Sequence, residues 1–122
     1  MTLPIPLPSV DVEEAERRVR EDPARPLLLD VREPNEFVAV RVPGAVLLPT
    51  SAFVARVGEL PAGRPLLVIC HTGRRSAAVT GFLARSGRTD VVNVAGGMEA
   101  WERAGLPIKR GPVEPGEGEL PA

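Results

Sequence analysis

The 122-residue sequence contains one cysteine, Cys70, one histidine, His71, no tyrosine and no glutamine. A lone cysteine excludes an internal disulfide, and a single Cys–His pair excludes the four-ligand zinc sites built from those residues. Neither sign of charge prevails. The 15 basic and 16 acidic residues sum to -1, so no general positive excess is available to condense on phosphate backbones or anionic lipid. Nucleic acid and membrane are therefore not expected partners. No stretch approaches the ~20 apolar residues of a membrane-spanning helix. The opening Met1–Pro8 lacks basic residues and has proline at positions 4, 6 and 8. It does not read as a signal peptide, and it can only run extended, as a loose tail or as an edge lying on the domain. The expected setting is the cytoplasm, where a free thiol stays reduced.

What is present describes a single globular domain. Hydrophobic residues make up 43% and charged residues 25%, ordinary values for a chain that can bury a real core without staples. Asp11, with Glu14 three residues on, caps a helix over about Val12 to Glu21. Leu27–Val31 reads as a strand covered on both faces, with Asp30 as its polar exception, and Pro34 opens a short helix over Asn35 to Ala39. The turn Val42-Pro43-Gly44-Ala45 leads into a strand over Val46–Leu48, and a brief helix spans Ser51 to Val57. Leu66–Cys70 is the strongest strand; the helix after Gly73 carries Val79, Phe82 and Leu83 on one face. Val91–Val94 is a further strand, and Met98–Ala104 a helix closed by Gly105 and Pro107. Strands alternating with helices imply an α/β fold with a parallel sheet and helices on both faces. Residues 1–8 form an extended segment and 9–108 the domain; residues 109–122, rich in Gly, Pro and Glu, form an expected flexible tail.

The chemistry lies in Cys70-His71-Thr72-Gly73-Arg74-Arg75-Ser76, between the best strand and the best helix. Ligands of open α/β sheets bind beyond the carboxyl ends of strands, which is where Cys70 falls. Residues curling round the sulfur would point backbone N–H groups inward, and the helix N-terminus adds partial positive charge. Such a setting lowers a thiol's pKa into the range of ~3.5–7.5 and makes it a nucleophile at neutral pH. The same amides would hold an incoming anion, with Arg74 or Arg75 as a charged fork and Gly73 supplying the conformation that a tight cradle needs. A cysteine at a strand end is, by itself, more often just a small buried residue. The glycine, two arginines and serine beside it outweigh that reading. His71, adjacent in sequence to the thiol, belongs on the rim facing substrate rather than in the role of general base.

The chain resembles the single-domain rhodanese family of sulfurtransferases from about Ser9 to Ile108. Four segments carry the resemblance: Leu29-Asp30-Val31-Arg32-Glu33 with Glu36-Phe37, then Val42-Pro43-Gly44-Ala45, the Cys70–Ser76 loop, and Gly96-Gly97 with Trp101 and Gly105-Leu106-Pro107. The resemblance implies a three-layer domain with a central, mainly parallel five-stranded sheet. It also implies that Cys70 takes a sulfane sulfur from an anionic donor such as thiosulfate, becomes a persulfide, and passes the sulfur to cyanide or a protein thiol, with no cofactor. The loop backbone from His71 to Ser76, with Arg75, would bind the donor; Asp30 and Arg32 would be structural neighbours. Where the family usually has histidine before the Val-Pro-Gly-Ala turn, this chain has Arg41, expected to pack or to pair with Glu36.

Two other functions use the same scaffold. Related phosphatases have one more residue between cysteine and arginine than the four here, giving a wider cradle for phosphate. Rhodanese-like domains without the cysteine serve as non-catalytic regulatory or sulfur-carrier modules, and Cys70 is present. Composition adds one expectation. Arginine outnumbers the single lysine, Asn35 and Asn93 are the only side-chain amides, and there are 14 prolines, features recurrent in heat-stable proteins of thermophiles.

Overall fold

The computed structural model describes residues 7–121. The elements run β1 (Ser9–Val10), α1 (Val12–Glu21), β2 (Leu27–Asp30), α2 (Pro34–Ala39), β3 (Val46–Leu47), α3 (Phe53–Arg56), β4 (Leu66–Ile69), α4 (Arg74–Arg85), β5 (Val91–Val94) and α5 (Gly97–Arg103). Single 3-10 turns, Thr50–Ala52 and Val57–Glu59, flank α3 where one brief helix was expected. The five strands are ordered β1-β5-β4-β2-β3, and every pair is parallel. Such pairing requires a crossover between neighbours, and the helices that supply the crossovers cover both faces.

Alternation along the central strands sorts the core into two layers. Leu27, Leu29, Leu66 and Val68 face Phe53, Val79 and Leu83; Leu28, Leu67 and Ile69 face Val12, Phe37, Met98 and Trp101. β2 and β4 are buried along their whole length, which is why their sequences read as unbroken apolar runs. The edge strand β1 is only two residues long. It is held by Asn93 N donating to Pro8 O (2.8 Å) and Ala95 N donating to Val10 O (2.8 Å). The expected extended segment therefore ends as a sheet edge at Pro8, while its residues 1–6 lie outside the described residues. Among the described residues no helix is long and apolar enough to cross a membrane.

The segment after Ile108 departs from the flexible tail expected of it. It folds back as a strap along the β3 edge: Arg41 and Lys109 exchange backbone hydrogen bonds, Leu47 N donates to Gly118 O (2.7 Å), and Leu120 packs on the core. Composition underrated it because the strap is held by polar bonds rather than by apolar surface. Arg41, fully buried, donates to both carboxylate oxygens of Glu117 (2.7 and 2.9 Å) and to the carbonyls of Phe37, Gly111 and Pro112. Its guanidinium also lies 5.5 Å from the Phe37 ring centroid. The partner of Arg41 is thus Glu117 and not Glu36. A buried cation survives only when its charge is paired and its donors are filled, and the strap does both.

Candidate active site

Parallel strands deliver the ends of β2, β4 and β5 to one edge of the sheet, and Cys70 immediately follows β4 there. Its Sγ accepts from Gly73 N (3.1 Å) and from the Ser76 hydroxyl (3.2 Å). Burial pushes the thiol's pKa up; hydrogen bonds from the Ser76 hydroxyl and from the amides of Ser76, Gly73 and Thr72 outweigh it, so the net shift is downward. Gly73 has φ +102°, which turns its N–H toward the sulfur at the start of α4. Cys70 is 1% exposed. Its environment therefore favours a thiolate solvated by the protein rather than by water.

The loop is held from behind by α5. Met98 N donates to Cys70 O (2.8 Å) and Glu99 N to His71 O (3.0 Å), so free amides of a helix N-terminus fill the loop's carbonyls. Gly97 makes this possible. A Cβ there would collide with Cys70 O and lie 2.6 Å from His71 O, distances no side chain tolerates. Trp101, on the same helix, donates from Nε1 to Pro107 O (2.8 Å) and anchors the turn that ends it.

The remaining residues of the motif divide into rim and frame. His71 is exposed, with Nε2 3.9 Å from Glu99 Oε2, and its ring makes no hydrogen bond to Cys70. Thr72 and Arg74 are exposed, and Ser76 is fully buried beneath the sulfur. Asp30 and Arg32 form a buried pair: the guanidinium donates from Nε and Nη2 to the carboxylate and reaches Glu36 O (3.3 Å) and Val40 O (2.6 Å). This pair ties the end of β2 to α2. Among the described residues no three His, Cys, Asp or Glu side chains converge to hold a metal ion. A groove of about 700 Å³ lies between α2, β3 and the strap and is lined by no residue of the Cys70 loop.

One relationship in the site was not read from the sequence. Arg75 donates from Nη1 and Nη2 to the two carboxylate oxygens of Glu36 (2.7 and 2.8 Å), across 39 residues. The Arg75 hydrogen bonds hold the Glu36 carboxyl at about 2, against an ordinary 4.5, despite the opposing effect of burial. The available signal was local: Glu36 stands three residues after Glu33 and accepts from Glu33 N (3.1 Å), the spacing of a helix-start carboxylate. That signal places Glu36 at the start of α2 and says nothing about α4.

The sequence model of the rhodanese-like domain matches residues 11–104. The chain belongs to the rhodanese-like domain family. A protein named sulfurtransferase from Allochromatium vinosum is 38% identical over 82 residues, covering 67% of this chain and 77% of that one. The thiosulfate sulfurtransferase GlpE of Vibrio cholerae is 32% identical over 100 residues, covering 82% and 92%. Among solved structures, a rhodanese-related protein from Thermoplasma volcanium superposes with a TM-score of 0.76 at 28% identity, covering 84% of this chain and 97% of that one. Outside the matched residues, β1 pairs with β5 and the strap bonds to Arg41 and Leu47.

Proposed function

We propose that the protein is a sulfurtransferase in which Cys70 carries sulfur as a persulfide, with thiosulfate as a donor. The observation that carries this reading is the Cys70 sulfur, held by the Ser76 hydroxyl and Gly73 amide at the end of a buried parallel strand. The names and coverage of the relatives agree with it. In the first half-reaction the Cys70 thiolate attacks the sulfane sulfur of thiosulfate. A Cys70–sulfur bond forms, the sulfur–sulfur bond of the donor breaks, and sulfite leaves with the electron pair. The terminal sulfur of the resulting persulfide then accepts attack by cyanide or a protein thiolate, and the bonding pair returns to Cys70 as thiolate. No external redox partner is needed, since each step is a displacement at sulfur.

The loop amides from His71 to Ser76 bind the anionic donor, with Arg74 exposed at the rim and Arg75 engaged by Glu36. The cytoplasm keeps the thiol reduced between turnovers. The test is intact-mass measurement after incubation with thiosulfate, which should show one added sulfur that dithiothreitol removes, paired with a thiosulfate:cyanide assay on Cys70→Ser. An addition that persists in Cys70→Ala would overturn the role of Cys70. Hydrolysis of p-nitrophenyl phosphate without sulfur transfer would turn the assignment to a phosphatase.

A further inference from the structure

Resting on the sulfur-transfer reading, we propose that Glu36 determines donor specificity by keeping the Arg75 guanidinium from anions that approach Cys70. Each Nη of Arg75 donates to one oxygen of the Glu36 carboxylate, which balances the guanidinium charge. That carboxylate is fixed in place: its Oε1 also accepts from Glu33 N, and the Glu36 carbonyl accepts from the buried Arg32. It is also ionised at every working pH, being held at about 2. Arg75 and Glu36 therefore meet an incoming donor as a pair without net charge, and the Arg32–Asp30 pair lies buried behind it. Among the described residues Arg74 is the loop cation without an ion pair, and it is exposed.

The consequence is a penalty on charge. A dianion approaching the Cys70 thiolate is compensated by the loop amides and Arg74, and it meets Arg75 with its charge already matched by Glu36 in a bidentate contact. Bidentate guanidinium–carboxylate pairs are among the stronger polar contacts in proteins. A donor with one charge fewer loses less. Glu36 thus ranks donors by charge while touching none of the reacting atoms, and it acts through Arg75 as a positioning residue.

The test compares thiosulfate, a dianion, with methanethiosulfonate, a monoanion that gives up the same kind of sulfane sulfur and releases methanesulfinate. Glu36→Gln keeps the acceptor for Glu33 N and removes the charge. It should raise kcat/KM for thiosulfate relative to methanethiosulfonate by about tenfold, a change of one nearby unit charge in a partly screened site. A second readout needs no turnover: the ratio of Cys70 alkylation rates by iodoacetate, an anion, and iodoacetamide, which is neutral. That ratio should rise severalfold in Glu36→Gln, fall severalfold in the exposed Arg74→Gln, and return to within about twofold of wild type in Glu36→Gln/Arg75→Gln, where both charges are gone. An unchanged ratio in Glu36→Gln or Arg74→Gln would overturn the proposal, as would a double variant far below wild type, because Arg75 would then serve anions while still paired. If the wild type forms no persulfide with either donor, the sulfur-transfer reading fails instead, and the alkylation ratios still decide the role of Glu36.

Discussion

Arg41 and Glu117 are 76 residues apart in sequence and 2.7 Å apart at their closest polar atoms. The pair closes the strap over α2 and β3, and it leaves the Arg41 side chain with no exposure. Removing the charge on Glu117 leaves a buried cation held by carbonyls alone, which is far costlier than losing a surface ion pair. Glu117→Gln should therefore lower the melting temperature by several degrees and loosen the strap. Trypsin should then cut after Lys109 or Arg110 faster than in the wild type. Equal cleavage rates would show that the strap is held without this pair.

Acid should undo the same contact. Hydrogen bonds from Arg41 hold Glu117 at about 2, as Arg75 holds Glu36, both below an ordinary 4.5. A carboxylate depressed in the folded state binds its proton more readily when unfolded. Its contribution is complete above about pH 4.5 and is lost as the pH falls toward 2. The melting temperature should decline across that window and decline less steeply in Glu117→Gln. Parallel profiles for the two proteins would remove Glu117 from the account.

Ser76→Ala tests the solvation of the thiolate. Burial of Cys70 is unchanged in this variant, while one hydroxyl donor to Sγ is lost. The midpoint of iodoacetamide alkylation should move to higher pH, and the rate at neutral pH should fall roughly tenfold, as expected for a hydrogen bond to a charged group. An unmoved midpoint would mean that the amides alone set the thiol.

Gly97→Ala should cost activity more than stability alone explains. Its Cβ would press on the carbonyls of Cys70 and His71, and displacing a reacting group by about 1 Å can cost ~10²-fold in rate. Gly87→Ala is the control, with φ +99° but nothing within 4 Å of the added Cβ. It should lose stability through backbone strain and keep kcat/KM per folded molecule. Similar activity losses in the two variants would refute a role for α5 in shaping the loop.

Composition raises the expectation of heat stability, and α1 carries ion pairs that would support it: Glu14 meets Arg17 and Arg18, and Arg20 meets Glu16 and Glu21. Networks of this kind gain importance at high temperature. Calorimetry of the reduced protein should give a midpoint above the ~45–65 °C typical of mesophile domains. A midpoint inside that range would refute the expectation.

Local signals were enough to identify most of this fold. The apolar runs of β2 and β4, the capped start of α1 and the glycine-led start of α4 are each written in contiguous residues, and together they implied a parallel sheet with Cys70 at a strand end. The same holds for the loop that surrounds the sulfur, because Gly73 and Ser76 lie within six residues of it. Three features were decided only by the tertiary structure: the two-residue β1, the strap closed by Arg41 and Glu117, and the pairing of Glu36 with Arg75. Each depends on partners brought together from distant positions, 39 and 76 residues apart for the two ion pairs. A charged side chain carries no sequence mark of which opposite charge it will meet. The periodicity of apolar residues determines which faces are buried; the packing of those faces then decides which charges are left side by side.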